Sequence, residues 1–147
     1  MQALHKAAIL GIILWLLAGC SSQQAPIGRW EGYLEDSDWI IAVRLQVEDG
    51  NTIYATALSV EVAGMSPASR ERNAEELKRA LPVQWETATS GEIEFRNNIL
   101  TRKGGVAPLF VYEPSNNTMT FNFYAGGKRT RTVLLAPVRK FSLGPDA

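Results

Sequence analysis

The fold is decided by residues 39–62, which read WIIAVRLQVEDGNTIYATALSVEV. Apolar residues at every second position on both sides of Asp49-Gly50 predict two β-strands, and the Asp-Gly pair supports the positive φ angles of a tight turn. The sequence therefore predicts an antiparallel hairpin. Its expected inward-facing residues are Trp39, Ile41, Val43, Leu45 and Val47 on the first strand and Tyr54, Leu58, Val60 and Val62 on the second.

The same period of two extends over most of the chain from residue 27 onward. One strand is predicted before the hairpin, at 28–34, and six more follow residue 82, with turns rich in Gly, Asn and Pro between them. The six are 83–87, 92–95, 99–103, 108–113, 118–124 and 130–139. Short strands at this spacing predict a mainly β fold, an antiparallel meander that closes into a small barrel or folds into a sandwich.

One segment breaks this period. Ser66 can cap a helix, Pro67 suits its first position, and Pro82 is expected to end it. A narrow apolar stripe lies between them. The sequence therefore predicts one surface helix over residues 67–81.

The first twenty residues have a different character. A weakly basic start is followed by an almost unbroken apolar run over residues 7–18, and then by Gly19 and Cys20. A transmembrane helix is the alternative, but the run is roughly a dozen residues long and a span needs about 20. We therefore interpret residues 1–19 as an export signal peptide.

The end of this segment, Leu17-Ala18-Gly19-Cys20, resembles the lipobox of bacterial lipoproteins. In that family the cysteine receives a diacylglyceryl group, the chain is cut just before it, and the new amino group is acylated. The resemblance implies cleavage between Gly19 and Cys20, lipid attachment at Cys20, and the membrane as a partner, because two or more acyl chains anchor a protein stably. An ordinary signal peptide cut nearby, which leaves a free thiol, is the alternative.

The residues after the cysteine bear on location. In the same family an aspartate at the next position favours retention at the inner membrane, whereas this chain has Ser21 and Ser22. The resemblance therefore implies an exported protein anchored at the periplasmic face of the outer membrane. The expected organisation is a lipidated tether at 20–26, a single β-domain at 27–140 and a flexible tail at 141–147.

The composition of the mature chain excludes several chemistries. His5 is the only histidine and Cys20 the only cysteine of the whole sequence. Without residues 1–19, the domain lacks Ser-His-Asp and Cys-His nucleophilic arrangements, the His and Cys ligands of common zinc sites, and any disulfide. We expect no metal, no cofactor and no enzymatic activity, with a carboxylate-based hydrolase as the alternative.

Gly28-Arg29-Trp30 resembles the Gly-x-Trp that opens the first strand of lipocalins. That resemblance implies an eight-stranded up-and-down barrel that holds a small apolar ligand, with Trp30 closing one end against a late arginine, Arg131 or Arg139. The helix at 67–81 departs from the family, which places its main helix after the barrel. The alternative is that Trp30 is an ordinary core residue of the first strand.

Two hypotheses for function follow. The first is a non-catalytic binding module for a small apolar ligand or lipid, lined by Trp39, Tyr54, Trp85 and Phe123. The second is an envelope accessory or assembly protein that acts through protein–protein contacts. Nucleic acid is not an expected partner of an exported, tethered domain with a formal net charge of +0.

Charge is balanced overall but unevenly distributed along the chain. Residues 27–95 carry thirteen acidic and six basic side chains, whereas residues 96–140 carry one acidic and eight basic side chains. One explanation is attraction between strands that become neighbours. The other is a basic surface that faces anionic lipid headgroups, each cation contributing about 1 kcal/mol.

Overall fold

The structure is a computed structural model that describes residues 24–48, 52–86 and 93–143. Eight strands and one helix lie in these ranges, and they confirm the predicted mainly β, antiparallel meander with one helix. The elements are β1 Gly28–Glu35, β2 Trp39–Val47, β3 Ile53–Glu61, α1 Pro67–Glu86, β4 Ile93–Arg96, β5 Ile99–Arg102, β6 Pro108–Glu113, β7 Thr118–Ala125 and β8 Lys128–Pro137.

The strands form one curled sheet, a half-barrel, in the order β3-β2-β1-β8-β7-β6-β5-β4. The first and last strands of the chain are paired, with Trp30 opposite Pro137 and Glu31 opposite Ala136. The strands at the two edges of the sheet are β3 and β4, which α1 separates in sequence. We call the opening between these two edge strands the seam.

The chain reverses at two ends of the half-barrel. The near end is where β1 begins, where β2 and β8 end, and where the β4–β5 turn lies. The far end contains residues 36–38, the β5–β6 loop and the β7–β8 turn. Asn97 and Asn98 have φ angles of 50° and 63°, and Gly126 and Gly127 have 58° and 76°. Asparagine and glycine tolerate this left-handed region, which is why the turns form at these predicted positions. The predicted turn at Asp49-Gly50 lies outside the described residues.

The inner face of the half-barrel carries the main core. On β2, Ile41, Val43 and Leu45 are each 0% exposed, as the alternation predicts. Other strands contribute large side chains to the same cluster, and burying one of these fully stabilises the fold by about 1.5–3 kcal/mol. They are Trp30, Leu100, Phe110, Met119, Phe121, Val133 and Leu135.

A second core lies on the outer face, under α1. Ile40 and Ala42 of β2 form one cluster with Ala74, Leu77 and Leu81 of the helix. Both faces of β2 are therefore covered, which explains why this strand is apolar at almost every position.

The second core corrects the inward-facing residues predicted for β3. Val60 lies opposite Ile40, and Leu58 opposite Ala42. Side chains opposite each other on antiparallel strands share a face, so Leu58 and Val60, and Tyr54 with them, belong to the helix-covered outer face. The alternation of β3 distinguishes its two faces but not which one points inward, because the outer face is also apolar where α1 covers it.

The helix begins as predicted and ends later. Ser66 Oγ accepts the backbone N–H of Ser69 at 3.3 Å, which caps the first turn. The helix continues through Pro82 to Glu86, so the strand predicted at 83–87 is wrong over 83–86. A proline removes one backbone N–H from the helix, but the residues after it can keep helical dihedral angles.

The residues after β8 turn back over the outer face. Glu31 accepts the backbone N–H groups of Ser142 at 2.8 Å and Leu143 at 3.1 Å. The Arg44 guanidinium lies 4.8 Å from the centre of the Phe141 ring. The predicted flexible tail therefore starts with three residues that contact the domain, and its last four residues lie outside the described ranges.

Candidate functional site

The predicted lining residues do not form one site. Trp39 and Phe123 meet on the inner face at the far end, with ring centres 4.9 Å apart and planes at 63°, an edge-to-face contact. Tyr54 is on the outer face, opposite Gln46. The side chain of Trp85 lies outside the described part of the chain. Trp39 and Phe123, the two residues that do come together, pack directly against each other and do not line a shared cavity.

The predicted cleavage and lipid-attachment residues, Gly19 and Cys20, lie outside the described ranges. Cleavage and lipidation therefore stay predictions from the sequence.

An ion-pair cluster borders the contact between Trp39 and Phe123. Arg131 lies opposite Phe123 in the β7–β8 register. Its Nη2 is 2.8 Å from Asp38 Oδ2, and its Nε donates to Asp36 Oδ2. The cluster therefore joins β8 to the turn between β1 and β2.

Asp36 organises this turn. Its Oδ1 accepts the backbone N–H groups of Asp38 and Trp39, both at 2.8 Å, which makes an Asx turn. The hydrogen bond from Arg131, reinforced by these N–H groups, lowers the pKa of Asp36 to about 2, and the same carboxylate raises the pKa of Arg131. Both groups stay charged at neutral pH and are engaged with each other, so the cluster suits fixing the turn rather than transferring a proton.

A second arginine holds the same turn from the helix. Arg70 donates to the carbonyl oxygens of Asp36 at 2.6 Å and Ser37 at 3.1 Å, and its Nη2 lies 3.6 Å from Glu35. With Arg131 on the other side, basic side chains from β8 and α1 converge on an acidic turn. Attraction between neighbouring strands thus accounts for part of the uneven charge along the chain.

A groove of about 390 Å³ lies between α1 and β1. The Tyr33 hydroxyl donates to Glu35 Oε2 at 2.9 Å, and Lys78 Nζ lies 5.2 Å from the centre of the Tyr33 ring. Burial, and then the neighbouring Glu35, raise the pKa of Tyr33 to about 12, so this hydroxyl stays protonated. The groove walls mix cations and carboxylates, so the groove favours neither an anion nor a cation.

Trp30 closes the near end of the inner face. It is 1% exposed, its Nε1 donates to the Asn117 carbonyl oxygen at 2.9 Å, and its ring meets Tyr112 edge-on at 6.4 Å. Of the two arginines expected beside it, Arg131 lies at the far end and is engaged with the turn carboxylates.

The sequence did not predict how the basic residues of the C-terminal half are distributed between the inner face and the two ends of the half-barrel. Arg131 lies on the inner face, Arg96, Arg139 and Lys140 lie at the near end, and Arg102, Lys103, Lys128 and Arg129 lie at the far end. No single basic face results. The signal was present in the sequence, since each far-end pair flanks a Gly-Gly turn, but its meaning depends on the strand register.

Among the residues that the structure describes, no three His, Cys, Asp or Glu side chains are grouped to hold a metal ion. No helix in the same part of the chain has both the length and the apolar character needed to cross a membrane. Compared with models of protein families, with curated proteins and with solved structures, the chain matches none. Its function is therefore inferred from its own residues.

Proposed function

We propose that this protein is a lipid-anchored, non-catalytic protein of the bacterial envelope that acts through contacts of its surface with other envelope components. The lipobox-like Leu17-Ala18-Gly19-Cys20 supports export and anchoring, with Ser21 and Ser22 favouring the periplasmic face of the outer membrane. The filled inner face supports action from the outside of the domain.

The place where the chain enters the domain supports a short tether. Ala25 is 5% exposed and belongs to the main core, so the packed domain begins five residues after Cys20. An extended chain covers at most about 3.5 Å per residue, which places the lipid-bearing residue within about 18 Å of Ala25. In this proposal the near end faces the membrane and the far end points away from it.

The observation that carries the surface role is the packing of the inner face. Trp30, Phe110, Met119 and Leu135 are each 1% exposed or less. Their side chains occupy the region in which a lipocalin-like barrel holds its ligand. The described part of the inner face therefore favours an accessory role through protein–protein contacts.

One observation favours the binding module as a second candidate. Ala57 and Ser59 on β3 are exposed, although the residues opposite them on β2, Val43 and Ile41, are 0% exposed. These small inner-face side chains are therefore open to solvent beside the seam. A small apolar ligand would lie there, next to Trp39, rather than in the middle of the half-barrel.

The carboxylates support the non-catalytic part of the proposal. A carboxylate-based hydrolase needs one carboxyl group that keeps its proton near neutral pH. Asp36 and Asp38 converge on Arg131, and the arginine lowers the pKa of Asp36 instead of raising it. Glu94 pairs with Arg96 at 3.4 Å.

Fractionation of cells that express the chain or its Cys20→Ala variant tests the anchor. We expect the natural chain in the membrane fraction and the variant in the soluble fraction. Its thermal unfolding should be unchanged, because the buried part of the described chain starts at Ala25. A variant that stays with the membrane would contradict the anchor.

Two further measurements separate the candidates. The surface role predicts a specific partner in crosslinking experiments in cells and no stoichiometric lipid after extraction with organic solvent. The binding module predicts a lipid in the extract that is lost in Ala57→Leu, which fills the seam, and kept in Ala136→Leu, which changes an exposed position of β8.

A further inference from the structure

Four cations gather at the far end on two loops. Each pair adjoins two glycines, in the β5–β6 loop and in the β7–β8 turn, and all four side chains are exposed. We call this group the basic tip. It consists of Arg102, Lys103, Lys128 and Arg129.

The two loops are neighbours in space. They are joined by β6 and β7, which pair with each other through Phe110 and Phe121. Adjacent strands lie about 4.8 Å apart, so the two loops, two strands apart, lie about 10 Å from each other. The four charges therefore form one patch.

Among the described residues, no acidic side chain pairs with the cations of the basic tip. Residues 102–108 and 125–129 contain no acidic residue, and no ion pair among the described residues uses any of the four cations. Asp36 and Asp38, at the same end, are engaged by Arg131. Glu61 is separated from β8 by β2 and β1. The tip therefore presents four positive charges with which no described carboxylate forms an ion pair.

The tip lacks the features of a shape-specific protein interface. Such interfaces depend on buried aromatic anchors, and the two loops contain no aromatic residue. Val106, at 97% exposure, is the one large apolar side chain that stands out there. Clustered exposed cations without an aromatic anchor favour a partner recognised by its charge density.

We propose that the basic tip binds a polyanionic polymer, a chain with closely spaced negative charges. The direction of the tip rests on the proposed lipid anchor. Since β1 alone spans about 25 Å, the anchored domain would hold the tip away from the headgroups of its own leaflet. The polymer would then be an envelope component outside that leaflet.

Dextran sulfate, with neutral dextran as control, tests the proposal on the purified non-lipidated protein, Cys20→Ala. We expect the protein to bind dextran sulfate but not neutral dextran, and we expect the binding to weaken steeply between about 50 and 200 mM salt. The double variant Lys128→Ala/Arg129→Ala should lose about tenfold in affinity. The matched control Arg139→Ala/Lys140→Ala, which removes the same two charges beyond the other end of β8, should lose less than about twofold.

The second loop provides an independent check. Arg102→Ala/Lys103→Ala should weaken binding as much as the β7–β8 pair, while thermal unfolding of all three double variants stays unchanged. Equal losses from the tip and control pairs would overturn the proposal, because they would show attraction to total charge. Binding to phosphatidylglycerol vesicles that is lost in Val106→Ser, without binding to dextran sulfate, would also overturn it in favour of a membrane. The outcome does not depend on the anchor, since the protein used carries no lipid.

Discussion

The half of the sheet that α1 covers differs from the half that it leaves bare. Along β2, every residue from Ile40 to Leu45 is at most 3% exposed. Along β8, burial alternates, since Val133 and Leu135 are 2% and 0% exposed while Leu134 between them is 66% exposed. Both strands pack on the same inner core, so the difference in their burial comes from their outer faces. A continuous apolar strand indicates two covered faces, and an alternating strand indicates one.

The bare outer face carries an uncharged row across four strands. Ile99, Val111, Thr120 and Leu134 lie opposite one another from β5 to β8. The helix follows β3 directly and packs on β2 and β3, at the other side of the sheet order. The two halves therefore share a core but differ in what their outer side chains contribute.

The largest effect is expected under the helix. Ile40→Ala removes a side chain that is 0% exposed on the outer face of β2. The cavity should destabilise the fold by about 2–5 kcal/mol, measured by denaturant unfolding. A loss below about 1 kcal/mol would show that the helix covers this face only loosely.

A second prediction tests the pairing that joins the halves. A Cβ added at Gly32 would lie 2.5 Å from the Leu134 carbonyl oxygen and 3.0 Å from Val133 Cγ1. Because backbone must move to make room, Gly32→Ala should destabilise the protein by about 1–3 kcal/mol. Gly104→Asn is the control, since nothing lies within 4 Å of its added Cβ and asparagine tolerates a φ of 73°.

A third prediction concerns pH. The folded-state pKa of Asp36, about 2, is below its ordinary value of 3.8, so its ion pair stabilises the fold above about pH 4. That contribution, about 1 kcal/mol for a partly exposed pair, should be lost as the pH falls towards 2. Asp36→Asn should be less stable at neutral pH.

Unfolding of the natural chain and Asp36→Asn at pH 7 and pH 2.5 provides the measurement. The difference between the two proteins should shrink at the lower pH. A constant difference would mean that the charge of Asp36 does not hold the turn to β8.

The smallest effect is expected on the bare face. Leu134→Ser replaces a side chain that is 66% exposed on β8. The change in unfolding free energy should be under about 0.5 kcal/mol. A loss of 2 kcal/mol or more would equate this position with Ile40 and remove the distinction between the halves.

The sequence predicted those parts of the fold that local chemistry controls. Turns at Asn97-Asn98 and Gly126-Gly127 lie where residues tolerant of positive φ occur, and Ser66 caps the helix. The helix end predicted at Pro82 is wrong, because a proline removes one backbone hydrogen bond and the helix continues beyond it to Glu86. The inward-facing side of β3 was predicted wrongly because the helix covers Leu58, and this tertiary contact is not encoded in the alternation.

The candidate site depended even more on contacts distant in sequence. Trp39 and Phe123 meet although β2 and β7 are not neighbours in the sheet. Arg44, a charged residue on the outer face of β2, is only 3% exposed, because Phe141 from the residues after β8 lies against it. The basic tip follows from short motifs, but its clustering requires the register of four strands.

The most direct test of the lipid anchor is mass spectrometry of the N-terminus of the protein recovered from bacterial membranes. We expect the mature chain to begin at Cys20 and to carry a diacylglyceryl group on the sulfur and an acyl chain on the amino group. An unmodified N-terminus that still includes residues 1–19 would contradict the anchor and, with it, the orientation of the near and far ends.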